Sequence, residues 1–247
     1  MIRRLIVNAD DWGLTRGVSD GILAAHRHGI VSSTTVLATG DLDRELLARL
    51  RDSGLGVGLH VNLTLGTPLT RGRSLVDGDG RFVRDARRAA ARVTVADVRA
   101  EIEAQAERFQ SALKRGPTHL DTHHHVGLHS PVREVVLEMA RALAVAVRSQ
   151  DAAARSRARS AGLRTPDYFF GESGPEAYWS CERTVRHLRE LPAGVSEFMC
   201  HPGWFDADLA YSRYGRQRET EMIGLGGAAA RATAAALGIT LATFADL

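Results

Sequence analysis

The chain has 247 residues, 44% of them hydrophobic and 25% charged, with a formal net charge of +3. That is the make-up of an ordinary globular protein, long enough for one large α/β domain. No apolar run approaches the ~20 residues of a membrane span, the apolar part of Met1–Asn8 is too short for a signal segment, and Cys181 and Cys200 form no CxxC pair. A membrane protein and a secreted disulfide scaffold are therefore not expected, and the cytoplasm is.

Leu5-Ile6-Val7 is a short apolar run that breaks into Asn8-Ala9-Asp10-Asp11-Trp12-Gly13, the pattern of a buried parallel strand with a polar end. The two adjacent aspartates read either as an Asp-rich turn or as a metal ligand beside a general base. A helix is expected over 15–28, from Val18, Ile22 and Ala25 at helical spacing with Gly29 as the stop. His26 and His28 on it read as surface or packing residues. The β-branched stretch 30–38 predicts a second strand. Leu42, Leu46, Leu47 and Leu50 predict a short amphipathic helix over 41–50, and residues 55–64 a third strand carrying His60 near its end. Glycines and Pro68 make 66–92 an irregular excursion on one rim, with a hairpin around 77–80. Its Asp/Gly content lacks the spacing of a calcium loop.

Thr94 then caps a helix, with Asp97 as the acidic partner of a box-like arrangement. Val95, Val98, Ile102, Phe109 and Leu113 supply a packing face, and no chemistry is assigned to this helix. A short strand over 118–122 leads into the run His119-Leu120-Asp121-Thr122-His123-His124-His125. Imidazole is the commonest protein ligand for transition metals, and the competing reading is a solvated His-rich loop. A helix over 131–143, a strand over 145–148 ending on Arg148, an Ala/Arg/Ser-rich rim helix within 151–164, a strand or turn over 165–171 and a helix over 178–191 follow. The apolar stretch 195–203 is a strand that ends on His201-Pro202-Gly203. Residues 204–221 are aromatic and charged and read as the lining of a polar cleft or a dimer contact. An alanine-rich helix over 227–237 and a last strand over 239–244 complete the chain.

Strand and helix alternate seven or eight times, which predicts an α/β fold, most economically a TIM-like (β/α) barrel forming one catalytic domain over residues 1–247. An open doubly wound sheet is the alternative. However, the glycine fingerprint of a dinucleotide fold is missing after the first strand. In a barrel, chemistry gathers at the C-terminal ends of strands. Asp10, Asp11, His60, His123, His124, His125, Arg148 and His201 would then share one rim. One carboxylate and two imidazoles leave open positions on a divalent metal, a second carboxylate can take a proton from water, and a histidine elsewhere can donate one to a leaving group. These parts suit metal-assisted hydrolysis of an amide or ester.

Four segments, Asn8-Ala9-Asp10-Asp11-Trp12-Gly13-Leu14, Gly58-Leu59-His60-Val61-Asn62-Leu63-Thr64, Thr118 to His125 and Cys200-His201-Pro202-Gly203, resemble the motifs of the YdjC/ChbG-like carbohydrate deacetylases, in order along nearly the whole chain. The resemblance implies an α/β barrel of the polysaccharide-deacetylase type and removal of acetyl groups from N-acetylated sugars such as chitooligosaccharides. It implies Asp11, His60 and His123 as metal ligands, Asp10 as general base and His201 as general acid. His124 and His125 match the run without an assigned role, and Arg148 and the 211–218 segment are candidates for substrate contact. The resemblance implies magnesium, whereas an Asp/His/His set suits zinc or another transition ion at least as well. Trp12 stands where phenylalanine is usual and Gly127 where a further histidine is common. Behind this reading stand a metal phosphoesterase on a similar barrel, then a non-catalytic sugar- or metal-binding protein, then a basic nucleic-acid-binding module. The expected partner is a small carbohydrate, with neither nucleic acid nor membrane, and a homodimer is compatible with the arginine-rich rims.

Overall fold

A computed structural model describes residues 2–247. The strands are β1 (Arg3–Trp12), β2 (Ser33–Val36), β3 (Gly56–Val61), β4 (His119–Thr122), β5 (Ala146–Val147), β6 (Tyr168–Phe170), β7 (Gly194–Cys200) and β8 (Thr240–Leu241). Between them lie α1 (Arg16–His28), α2 (Arg44–Arg51), α3 (Ala86–Arg92), α4 (Val95–Leu113), α5 (Val132–Ala142), α6 (Ala152–Ser160), α7 (Cys181–Arg189), α8 (Gln217–Gly226) and α9 (Ala228–Ala236). Every strand pairing is parallel. The sheet runs β5-β4-β3-β2-β1-β7-β6, with β8 beside the first half of β1. β2 begins opposite Asn8, so β8 takes the edge that β2 leaves open.

The sheet curls into a (β/α) barrel, because Arg148, just after β5, reaches carboxylates on β1, β4 and β7 at once. Between β5 and β6 the barrel is irregular. There a bond from the Val147 N–H to the Arg164 carbonyl (3.0 Å) and another from the Thr165 hydroxyl to Ser149 (2.8 Å) bridge the gap. Leu5, Val7 and Ala9 alternate outward into the main hydrophobic core, while Ile6 joins Ala146, Val195, Ala242 and Phe244 in a plug that closes the N-terminal end of the lumen. Above the plug His119 stacks on Phe244, with ring centroids 3.7 Å apart. A side chain at Gly58, on the neighbouring strand, would collide with that ring, since its Cβ would fall 2.5 Å from Nδ1.

Most elements fall where hydrophobic periodicity puts them. α1 starts at Thr15, whose hydroxyl accepts the Val18 N–H at 3.2 Å, a cap that contributes about 1 kcal/mol. The irregular excursion contains the Val76–Phe82 bridge of the expected hairpin but also a helix, α3, capped by Asp85. Residues 151–164 hold α6, an ordinary capped helix that buries Ala158. The aromatic and charged stretch continues into α8, whose N-terminal half comes from residues with no apolar stripe. Thr94 caps α4 as expected, but Asp97 turns to the Ser74 hydroxyl and backbone instead of completing a box. That helix also does more than pack. Gln105 accepts the Asn62 N–H at 2.9 Å and donates to the Asn62 carbonyl at 2.7 Å, while Glu101 holds Leu69 and Thr70. The loop after β3 is thereby fixed from below. Among the described residues no helix is long and apolar enough to cross a membrane.

Candidate active site

Successive side chains of a strand point to opposite faces, so Asp10 and Asp11 could not share a site on a regular strand. The β1–β2 register shifts between Ala9 and Trp12, and Asp11 has φ 72°, in the left-handed region. This bulge turns both carboxylates to the mouth of the lumen. A second left-handed turn follows β4, where His124 (φ 52°) and His125 (φ 54°) are consecutive. It fans the three histidines apart. His123 stays buried and faces Asp11, with its Nε2 3.9 Å from Asp11 Oδ1. His124 stacks against His123 at 3.8 Å. His125 bonds to Gln150 at 3.1 Å and meets Phe169 edge-on.

His60 lies between two aspartates. Its Nδ1 donates to Asp121 Oδ1 at 2.6 Å, and its Nε2 is 3.3 Å from Asp11 Oδ1. His123 is held in the same manner, Nδ1 on the Thr64 hydroxyl at 2.8 Å. In both rings Nδ1 is occupied and Nε2 is aimed at one oxygen, Asp11 Oδ1, which is buried and has no hydrogen-bond partner. The other Asp11 oxygen accepts from Arg218 at 2.7 Å. Asp10, His60 and Asp121 also bring one ligand atom each within 4.8 Å of one another. That cluster already contains the Arg148 guanidinium, which donates to both Asp10 oxygens at 2.7 Å and lies 2.8 Å from Asp121 Oδ2. A cation therefore already fills the space among those carboxylates, whereas the oxygen at Asp11 is open. A divalent ion fits the Asp11, His60 and His123 atoms. The donors are one carboxylate oxygen and two imidazoles, and each imidazole is oriented through its other nitrogen, as metal-binding histidines usually are.

The electrostatics agree with that fit. Among the described residues, the permanent cations paired with Asp10, Asp11, Asp121 and Glu197 are Arg148 and Arg218, so carboxylates outnumber permanent cations in a buried lumen. Burial opposes charge on His60, but Asp121, Asp11 and Asp10 around it raise its pKa to about 10. A proton there takes the place of the missing positive charge. Burial opposes ionisation of Asp10 and Asp11 as well. Arg148 nevertheless holds Asp10, and Arg218 with His60 holds Asp11, below the usual carboxylate range. Burial keeps His123 neutral, well below its ordinary pKa, and lowers His125 to about 4. Burial raises Glu197 to about 7 against the pull of Arg148.

His201 follows β7. Its backbone N–H donates to Glu221 at 2.5 Å, and its ring lies edge-on to Tyr214 at 5.3 Å. Its Nδ1 is buried without a partner among the described residues, and Nε2 is 3.4 Å from the Ser173 hydroxyl. Arg148, expected to meet substrate, turns inward, with its side chain 1% exposed, its ion pairs all with lumen carboxylates and its guanidinium 5.8 Å from the Phe169 ring. The sequence assigns no role to Asp121, Glu197 or Glu221, while Tyr214 and Arg218 fall in the 211–218 segment read as a candidate for substrate contact and turn instead to Glu221 and Asp11. Asp121 carries a signal, since it alternates with His119 on β4 and with His123 just beyond it. Glu197 and Glu221 carry none, because their partners lie far away in the chain. Beside the site a cavity of about 540 Å³ is lined by Asn62, Thr64, Arg81, Arg84, Phe82 and Tyr211, and the Arg84 guanidinium lies 6.0 Å from the Tyr211 ring. Thr64 links this cavity to His123.

A strand-end carboxylate–histidine constellation on a (β/α) barrel defines the class of the fold and site. The model of the YdjC-like protein family matches residues 4–235, and the chain belongs to that family. It is 35% identical to the chitooligosaccharide deacetylase of Serratia marcescens, with all of both chains covered. A solved structure from Enterococcus faecalis V583, described as a candidate cellobiose-phosphate cleavage protein, superposes with a TM-score of 0.89 at 30% identity, covering 100% of this chain and 99% of that one. The Xyl-CE4 domain of a xylanase from a termite hindgut metagenome shares the fold, at TM-score 0.56 and 9% identity, over 100% of this chain and 89% of that one.

Proposed function

We propose that this protein is a metal-dependent carbohydrate deacetylase whose whole chain forms one catalytic domain, with an N-acetylated sugar of the chitooligosaccharide type as substrate. The observation that carries the reading is the orphaned Asp11 Oδ1 with two oriented Nε2 atoms aimed at it. Full-length identity to a chitooligosaccharide deacetylase supports the substrate class. Asp11, His60 and His123 hold the divalent ion, and two imidazoles in three ligands favour zinc or a similar transition ion over magnesium. When bound, such an ion lowers the pKa of water toward ~7 and draws charge from an acetyl carbonyl.

Asp10 is the general base. Arg148 and Asn8 hold its carboxylate in one orientation and keep it ionised. His201, at the end of the neighbouring strand β7, hands a proton to the leaving amine, and Tyr214 and the Glu221 contact to its backbone fix the ring. Tyr211, half-exposed at the cavity, offers its face to a pyranose ring. His124 and His125 border the site as neutral rings and hold its wall. The free thiols of Cys181 and Cys200 suit the cytoplasm.

The test is acetate release from N-acetylglucosamine mono- and oligosaccharides, with and without chelator. Chelator-sensitive release is the expected result. Metal-loaded protein that releases no acetate from any of them would refute the reading.

A further inference from the structure

Glu197 takes no part in the chemistry described above, yet it lies fully buried in the middle of β7. Its Oε1 accepts the Arg148 Nε–H at 2.7 Å, and its Oε2 has no partner. We propose that Glu197 is a positioning residue of the deacetylation: it sets the plane of the Arg148 guanidinium and, through it, the Asp10 carboxylate and the Asp121–His60 pair. The inference rests on the reading of Asp10 as general base.

The geometry argues as follows. A guanidinium is a rigid plane with N–H groups in a fixed fork, and it turns as one body. Its forked edge faces the site. Both outer nitrogens donate to Asp10, and Nη1 also faces Asp121. Those acceptors lie on β1 and β4. The remaining edge, Nε–H, is met only from β7, by Glu197. Three strands thus fix one plane at three points. Without Glu197 the buried Nε–H loses its partner, and the plane can pivot on its two outer contacts. Any tilt moves both carboxylates together, because Asp10 and Asp121 share Nη1. A buried ion pair is weak evidence for a stabilising role, since replacing the whole pair by apolar residues is commonly neutral, whereas removing one partner alone is costly, so the test must read more than stability.

Two variants separate this role from a structural one. Glu197→Gln keeps an acceptor at the same reach, and Glu197→Met keeps the length without it. The first readout does not depend on turnover: side-chain 15N–1H spectra of Arg148. The wild type and Glu197→Gln are expected to show a protected Nε–H and separate Nη signals. In Glu197→Met the Nε–H should exchange at least about tenfold faster and the Nη signals should merge. The second readout is acetate release from N,N′-diacetylchitobiose. Glu197→Met should lower kcat about 10- to 100-fold with KM within about 3-fold, the size that misplacing a catalytic group by a fraction of an ångström produces. Glu197→Gln should stay within about 3-fold of wild type. Arg148 signals unchanged in Glu197→Met, or an unchanged kcat there, would overturn the proposal. If Glu197→Met does not fold, Glu197→Gln decides: retained Arg148 signals support the proposal, and their loss overturns it. If wild-type protein releases no acetate, the functional reading fails, while the Arg148 spectra still decide the role of Glu197.

Discussion

Replacing Asp121 by asparagine tests how the metal-binding histidine is oriented. Asp121 accepts from His60 Nδ1 at 2.6 Å, faces Arg148 Nη1 at 2.8 Å and accepts from the Thr35 hydroxyl at 3.1 Å. A carboxylate satisfies all three because it only accepts. An asparagine has one acceptor and one donor end. With its oxygen toward His60, its amide N–H groups confront the N–H groups of Arg148. With its oxygen toward Arg148, its amide donates to Nδ1, which forces the His60 proton onto Nε2, the atom aimed at Asp11. Either way His60 is a poorer ligand. Loss of such an outer partner costs about 10- to 100-fold in metal affinity, or about 1.4–2.7 kcal/mol. Asp121 also favours the proton that competes with the metal at His60. A dication loses at least as much as a proton does when that charge is removed, so relief of the competition does not reverse the sign. Titration of chelator-stripped protein with Zn²⁺ against a competing chelator reads the affinity directly. An Asp121→Asn variant that folds and binds Zn²⁺ as tightly as wild type would refute this account of the site.

Because the metal-free pKa of His60 is about 10, metal and proton compete for Nε2 at neutral pH. Metal uptake should therefore release a proton, and apparent affinity should rise up to about tenfold per pH unit from neutrality toward pH 10. Calorimetry in buffers of different ionisation enthalpy would count the protons, and a count of zero at pH 7 would contradict the charge argument. Asp10→Asn should keep the metal and lose turnover by at least about 100-fold; measured acetate release near the wild-type rate would remove Asp10 as the base. Gly58→Ala should destabilise the fold by about 1–3 kcal/mol, because its Cβ meets the His119 ring in a packed lumen. Denaturant unfolding measures this, and an unchanged midpoint would mean that the lumen is looser than described.

Apart from α3 inside the 66–92 excursion, the order of the elements is legible in the sequence, and so is the rim to which the candidate site residues belong. Strands betray themselves by apolar runs such as Leu5-Ile6-Val7 and by the polar residues that end them, and helices by spacing such as Val18, Ile22 and Ala25. These are local signals, written within one element. Asp10, Asp11, His60, His123 and His201 were legible for the same reason, since each terminates a strand. The tertiary structure decided which way each side chain faces. Only the bulge after Ala9 turns both Asp10 and Asp11 to the lumen, and only the left-handed pair His124 and His125 separates His123 from its neighbours. Arg148 reads as a rim residue in sequence, yet curling of the sheet carries it inward to carboxylates on three other strands. Arg218 reaches Asp11 from a helix 207 residues away in the chain. Such pairings leave no periodic trace, because a buried charge is satisfied by whatever the closed barrel brings beside it and not by its neighbours in the chain.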